Sequence, residues 1–470
     1  VWPFARRPAP RKAIVAKFDS AQTTAENRKH WANADLLSAD AAAAPEIRRA
    51  LRSRARYEVA NNSYARGIVL TLANDTIGTG PRLQMSTGVP ASDRLIEQEF
   101  GAWMDEVCLA EILRTMRMAR AQDGEAFAIL TTNPLRRHVV KIDVRPVEAD
   151  QITTPDLSVL TPDAVDGIVF DAWGNPLAYN MLREHPGSSI ISLPLDYQRI
   201  PARYMIHWFR TDRPGQSRGL PDILPALPLF AQLRRYTLAV IAAAESAADI
   251  AVLMKTNAPA GGEAAEVAPM AEMEFTPRMA VFAPEGWEAT QIKAEQPATT
   301  YEMFKREILN EIARCLNMPY NIAAGNSSAY NYASGRLDHQ TYYKSIAVDQ
   351  RQCEAMVLDR ILAAWLEEAA PLYGLEMIGA PSHQWFWDGH EHVDPVKEAS
   401  AQAQRLASNT TTLAAEYARQ GLDWEEQLEQ RAREIQKMRA LGLPAPGIPG
   451  SLPGEPARDA PPQEEEADGE

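Results

Sequence analysis

NMPYNIAAGNSSAYNYASGR, residues 317–336, decides how the chain is organised. Pro319 cannot donate to a preceding helix and pushes Met318 out of the helical region, so a helical run from Tyr301 should stop near it. Gly325 and Asn326 then favour a turn. Between Tyr320 and Gly335 there is no Lys, Arg, Asp, Glu or His, although 23% of the whole chain is charged. The stretch reads as helix, uncharged loop, helix: a hinge with no visible chemistry. Taken by itself, such a loop is most simply an interhelical turn packed against the protein.

Working outward, TTYE (299–302) is a capping-box pattern opening the helix before the loop, with Phe304, Ile308, Ile312 and Leu316 on one face. Residues 222–255 read as one long alanine-rich helix, whose small side chains let a neighbour approach closely. Between these helices, 256–297 is broken by Pro and Gly, with a short extended piece at 279–282. Upstream, 46–77 is helical, with Ile47, Leu51, Arg54 and Tyr57 at three- and four-residue spacing, and a second helix covers 95–123. The period then shifts to strands at 126–131, 139–147, 167–170, 177–182 and 204–209, with DAWGN (171–175) as a turn. Beyond the loop, 337–369 is helical, WFW (385–387) reads as a strand, and a helical run follows. Pro395 stands at a first helical position behind Asp394. Asp423 opens a helix with Glu425 and Glu426 in its first turn and Lys437 and Arg439 in its last. The body is α+β.

Several segments in this order resemble the portal proteins of tailed bacteriophages, lambda family: NMPY (317–320) with NYASGR (331–336), RPGQSRGLP (213–221), DPVKE (394–398) and GLDWE (421–425). The likeness spans roughly residues 54–442. Gly335 departs from the small non-glycine residue more usual there, and YEVANN (57–62) is a looser version of the family's stretch. The resemblance implies a portal-type fold with an α/β wing, a long-helix stem, a small clip insertion and a helical crown. The implied division is a mobile arm (1–20), wing (21–221), stem helix (222–255), clip (256–298), second stem helix (299–318), channel loop (319–335), wing again (336–393), crown (394–443) and a disordered acidic, Pro-rich tail (444–470).

It further implies a homo-oligomeric ring, usually a dodecamer, at one capsid vertex of the virion, assembled in the host cytoplasm. Implied partners are double-stranded DNA in the channel, the terminase large subunit, major capsid or scaffold protein, and head-completion or tail-adaptor proteins. The implied DNA-channel loop carries Tyr320, Asn321, Gly325, Asn326, Ser327, Ser328, Tyr330 and Asn331. Amides and hydroxyls suit that role, because each Lys or Arg on a phosphate would add salt-dependent affinity to be broken at every step of DNA movement.

Composition narrows the alternatives. A net charge of −14 argues against broad adhesion to nucleic acid. The longest apolar candidate, 236–254, is interrupted by Glu245 and Asp249, so no membrane span is expected. VWPFARRP at the start lacks the apolar core of a secretory signal. Cys108, Cys315 and Cys353 fit no zinc or disulfide framework, which suits a reducing compartment. Neither a phosphate-binding loop nor a nucleophile elbow is present, and GTG (78–80) lacks the context of a dinucleotide fingerprint, so no enzyme and no cofactor is expected. The one competing enzymatic reading is a metal-dependent phage hydrolase built on His390 and His392 within DGHEHVD (388–394), against the plainer reading of a polar strand-to-helix loop. Arg114, Arg117 and Arg120, three apart on a helix, are expected to form a solvated or ion-paired face before a DNA contact.

Overall fold

The computed structural model describes residues 28–154, 163–188, 196–248, 252–256, 287–291, 298–328, 332–375, 381–389 and 395–443. Helices α1 (Ala39–Ala42), α2 (Pro45–Asn61) and α3 (Ser63–Ile77) lead into strand β1 (Arg82–Met85), then α4 (Pro90–Glu106) and α5 (Leu109–Asp123). The middle carries β2 (Glu125–Thr132), β3 (Ile142–Val147), β4 (Ala164–Val165), β5 (Ile168–Phe170), β6 (Pro176–Leu182), β7 (Tyr197–Pro201) and β8 (Met205–Phe209). Next come α6 (Leu227–Ala248), β9 (Val252–Thr256), β10 (Trp287–Gln291) and α7 (Ala298–Arg314). The chain continues through α8 (Tyr320–Ala324), α9 (Tyr332–Cys353), α10 (Asp359–Tyr373), β11 (His383–Phe386), α11 (Pro395–Ala407), α12 (Leu413–Arg419) and α13 (Trp424–Ala440). The architecture is mixed helix and sheet.

β2 is the centre of the body, flanked antiparallel by β3 and β8. Its side chains alternate strictly, as a strand buried on both faces requires. Ala126, Ala128 and Leu130 enter a core with α4, α5 and α10, where Phe100 meets Trp365 edge-on at 5.3 Å. Phe127 and Ile129 enter a second core with Ile168, Tyr179 and Ile200 of the antiparallel sheet β4-β5-β6-β7. A third core joins α2 and α3 to the start of α6, to α7 and to the middle of α9.

The expected strands in the middle lie where β2, β3, β5, β6 and β8 form, with ends moved by at most three residues, and β4 and β7 were not foreseen. Four expected continuous helices are interrupted. Asn62 turns extended between α2 and α3, where its side chain caps α3 by accepting from the Tyr64 and Ala65 amides at 3.0 and 3.4 Å. Cys108 adopts a left-handed conformation, φ 55°, and splits 95–123 into α4 and α5. The 222–255 helix is α6 followed by β9, which pairs antiparallel with β10. A π turn at Glu354–Leu358 separates α9 from α10. Its extra residue suits a change of face: Tyr342 and Ile346 pack in the third core, whereas Val357, Ile361 and Trp365 pack in the first. The short extended piece expected at 279–282 lies outside the described residues, as do the side chain of Thr299 and the whole of Asp394.

Buried charge fastens these parts together. Glu125 has no solvent exposure and receives Arg218 through Nε at 3.0 and 2.9 Å and Nη2 at 2.7 Å, with Arg52 and the Gly219 amide also on it. Burial alone would raise the Glu125 carboxyl; Arg218, Arg52 and the His207 hydrogen bond hold it well below the usual carboxylate range. The approach requires glycine on both sides, since a Cβ at Gly124 would collide with the Leu220 backbone and one at Gly219 with the Gly124 carbonyl. This explains Arg218 and Gly219 in RPGQSRGLP. In the same segment Gln216 Oε1 accepts from the Asp212 and Arg213 amides, and Ser217 bonds Asp40.

Glu125→Gln takes from Arg52 and Arg218 the buried carboxylate they share, leaving Asp150 to the first and Asp166 to the second, and denaturant unfolding should show a loss of about 3 kcal/mol. The same measurement across pH separates two groups. Burial lowers His207 from its ordinary 6.5, so the unfolded chain takes up that proton first. The corresponding stability is complete above about 6.5 and drains as pH falls toward the lowered folded value. Glu125 adds stability that is complete above about 4.5 and is lost only at much lower pH, so the acid limb of Glu125→Gln should lack this second component.

Candidate functional site

At the hinge the chain stops one helix, makes a short second one and stops again. α7 ends in a Schellman arrangement: Asn317 is left-handed at φ 53°, its amide donates to Arg314 O at 3.1 Å, and the Met318 amide donates to Ala313 O at 3.1 Å. Arg314 Nη1 also donates to Asn317 Oδ1 at 2.8 Å. The helix therefore ends before Met318, a turn earlier than Pro319 alone requires. Pro319 then serves as the extended N-cap of α8. Gly325, at φ 62°, ends α8, and the Asn326 amide closes the turn on Asn321 O at 3.0 Å.

The uncharged loop is thus shorter than the 319–335 expected from sequence, because Tyr320–Ala324 is helical and α9 begins at Tyr332. Its residues divide by environment. Met318 and Ala323 are buried in the third core, and Tyr320 and Ile322 pack at its margin, with the Arg306 guanidinium 5.6 Å from the Tyr320 ring. Asn321 is buried, with Nδ2 3.0 Å from His339 Nε2. Gly325, Asn326, Ser327 and Ser328 are exposed, and the Ser328 amide donates to Asn326 Oδ1 at 3.0 Å. Tyr330 and Asn331 lie outside the described residues. His339 and Arg306 were not singled out from sequence; the available signal was that a buried asparagine needs a partner, and His339 stands within two turns of the α9 start.

The remaining sequence candidates have structural uses. Of the two faces expected for the arginines, solvated or ion-paired, Arg117 and Arg120 form the ion-paired one, and both are buried. Arg117 donates to Asp222 at 2.9 Å and Asp349 at 2.7 Å, Arg120 donates to Asp349 at 3.0 Å, and Arg114 donates to Gly78 O at 3.0 Å. Asp349 would be raised by burial, but Arg117 and Arg120 hold it below its ordinary value. In GTG (78–80), Thr79 gives its amide and hydroxyl to Asp388 at 2.5 and 2.8 Å. That occupies the described carboxylate of the proposed metal cluster; His390, His392 and Asp394 lie outside the described residues. Another set, Glu148, Asp150 and His185, has cation-binding spacing, but Arg56 already holds Asp150 at 2.7 Å and Glu148 at 3.4 Å. The three cysteines are unpaired, and burial pushes Cys315 up to about 11 and Cys353 higher.

The hinge is a short helix and an exposed turn of amides and hydroxyls, set on a body fastened by buried ion pairs. The chain belongs to the lambda family of phage portal proteins, whose profile it matches over residues 25–350. Proteins of this family are structural and non-enzymatic, which removes the ground for the hydrolase alternative. The probable portal protein of Halomonas phage phiHAP-1 is 25% identical over 84% of this chain and 82% of that protein. Portal protein B of Escherichia phage lambda is 21% identical over 89% of each. Among solved structures, the neck of an empty gene transfer agent particle shares 15% identity and a TM-score of 0.48, covering 83% of this chain and 93% of that one.

Asn317→Gly should leave stability unchanged or slightly higher. Asn317→Val, which must hold a β-branched residue at positive φ, should cost about 1–2 kcal/mol by denaturant unfolding.

Proposed function

We propose that this chain is the subunit of a closed portal ring, usually a dodecamer, at one capsid vertex of a phage virion, and that the ring is the conduit through which DNA is packaged and ejected. Family membership across residues 25–350 carries the reading. A closed ring needs a head-to-tail interface repeated at every subunit. The helices on either side of the β9–β10 ribbon suit such a contact: they pair through Tyr236 against Phe304 at 4.6 Å, while Leu238, Ile241 and Met303 remain exposed on their outer surfaces. In this reading α6 and α7 are the stem, and the segment from 256 to 298 is the clip that docks the terminase large subunit during packaging and head-completion or tail-adaptor proteins afterwards. The ring's outer surface meets the major capsid or scaffold protein.

The exposed turn from Gly325 to Ser328, with Tyr330 and Asn331 beyond it, is the part that faces DNA. Its amides and hydroxyls exchange hydrogen bonds with a passing duplex without accumulating phosphate ion pairs. Tyr320 and Asn321 instead tie the turn to the helices beneath it.

Negative-stain imaging and solution mass of the purified chain should show closed rings with a central hole; persistent monomers even with capsid and scaffold protein present would refute the reading. In a packaging assay, Ser327→Lys should preserve the ring, slow DNA movement at low salt and recover as salt is raised. Unchanged salt dependence would remove the turn from the channel wall.

A further inference from the structure

A cavity of 730 Å³ opens among the β4–β5 hairpin, β8, the loop at 215–217 and the π turn. This volume is within the range of about 300–1,000 Å³ typical of ligand sites. Much of its lining is apolar, notably Ile168, Phe170, Phe209 and Met356. Two hydrogen-bond donors share that lining and are poorly matched. Among the described residues, the Tyr179 hydroxyl meets only His207 Nδ1, at 3.5 Å, the outer limit of a hydrogen bond. Arg360 gives one Nη2 to Ala202 O and has no carboxylate within ion-pair distance among the described residues.

The contrast with the buried arginines is sharp. Arg48, Arg52, Arg117, Arg120 and Arg218 each hold an Asp or Glu. Arg360 is half-buried, and burial lowers its guanidinium with only Tyr179 acting in the other direction. Burial pushes the Tyr179 hydroxyl up to about 12, so it remains a neutral donor. A partly desolvated cation beside a weakly held hydroxyl in an apolar hollow is complementary to an acceptor carrying a single negative charge.

We propose that this cavity docks a carboxylate-bearing segment of a partner polypeptide, with the carboxylate between Arg360 and Tyr179 and an adjacent apolar side chain against Phe170, Phe209 and Met356. A carboxylate matches the planar fork of a guanidinium. Asp163 and Asp171 also line the cavity and disfavour the dense charge of a nucleic-acid backbone. The π turn contributes Met356, and Arg360 stands two residues beyond its end; such turns recur at binding sites. None of this depends on the portal reading.

Calorimetric titration of the full chain with hydrocinnamate, which joins a carboxylate to an aromatic ring, and with its neutral amide tests the proposal. The acid should bind saturably, with the amide and the Arg360→Gln chain each weaker by roughly tenfold or more. Met356→Glu, which places a carboxylate in the hollow four residues before Arg360, should abolish binding while circular dichroism shows the chain still folded. An acetylated Phe-Glu-Leu amide should bind more tightly than hydrocinnamate; weaker binding overturns the polypeptide assignment. Equal affinity for acid and amide, no binding of either, or a preference for inorganic phosphate overturns the site as described.

Discussion

The carboxylate of Glu125 is the point on which the body is assembled. It stands where α5 gives way to β2, and it draws Arg52 from α2, Arg218 from the segment ahead of α6 and His207 from β8 onto one side chain. Arg218 extends the connection to Asp166 beside β5 and to the carbonyl of Ile152. A second buried cluster lies nearby on α5, where Arg117 and Arg120 meet Asp222 and Asp349. Fully buried ion pairs of this kind contribute little net stability over apolar packing, but removing one partner is costly. Their value here is positional. Residues 218 and 222 fix the chain just before it enters α6, so the direction of the long helices is set by charges that tolerate few other arrangements.

This dependence explains which parts of the fold could be read from the amino-acid sequence. The alternation of Ala126, Phe127, Ala128 and Ile129 is local, and it predicted β2. The helix after Asp423 was equally local: Asp423 Oδ1 accepts from the Glu425 and Glu426 amides at 2.7 and 3.1 Å, with Lys437 and Arg439 in the last turn. The pairing of β1 with β11 joins residues near 84 to residues near 384, and no local pattern foretells it. Arg114, Arg117 and Arg120 had the spacing of a solvated or ion-paired helix face. Two of them are buried because their acids, Asp222 and Asp349, arrive from remote parts of the chain. The left-handed Cys108 was hidden for another reason: only the packing of both α4 and α5 into one core, through Trp103 and Leu109, requires a corner there.

The hinge was legible in outline and misjudged in extent. Pro, Gly and Asn marked a break, and the absence of charge was plain. The sequence also held the cues for α8, with Pro319 fixing the start, apolar Ile322 and Ala323 facing the protein and Gly325 supplying the stop. These cues span a single short helix, below the length at which periodicity can be recognised. Asn321 was grouped with the exposed amides because its type suits a polar turn, yet the helix turns it inward toward His339. Residue type alone cannot separate an amide that meets solvent from one that braces a helix.

The two left-handed residues, Asn317 and Gly325, give the hinge its physical character. Each ends a helix by turning the chain sharply, and between them Met318 and Ala323 hold the connection to the core. A change in the angle between α7 and α9 that preserved those contacts would have to be absorbed beyond Gly325, where the exposed side chains begin. Asn326 and Ser328 are held there by local hydrogen bonds, from the Asn326 amide to Asn321 O and from the Ser328 amide to Asn326 Oδ1, a small barrier compared with the buried contacts below. The uncharged composition fits this arrangement, because a lysine or arginine on the turn would find acids on the surrounding acidic chain and pin a stretch that the packing leaves exposed.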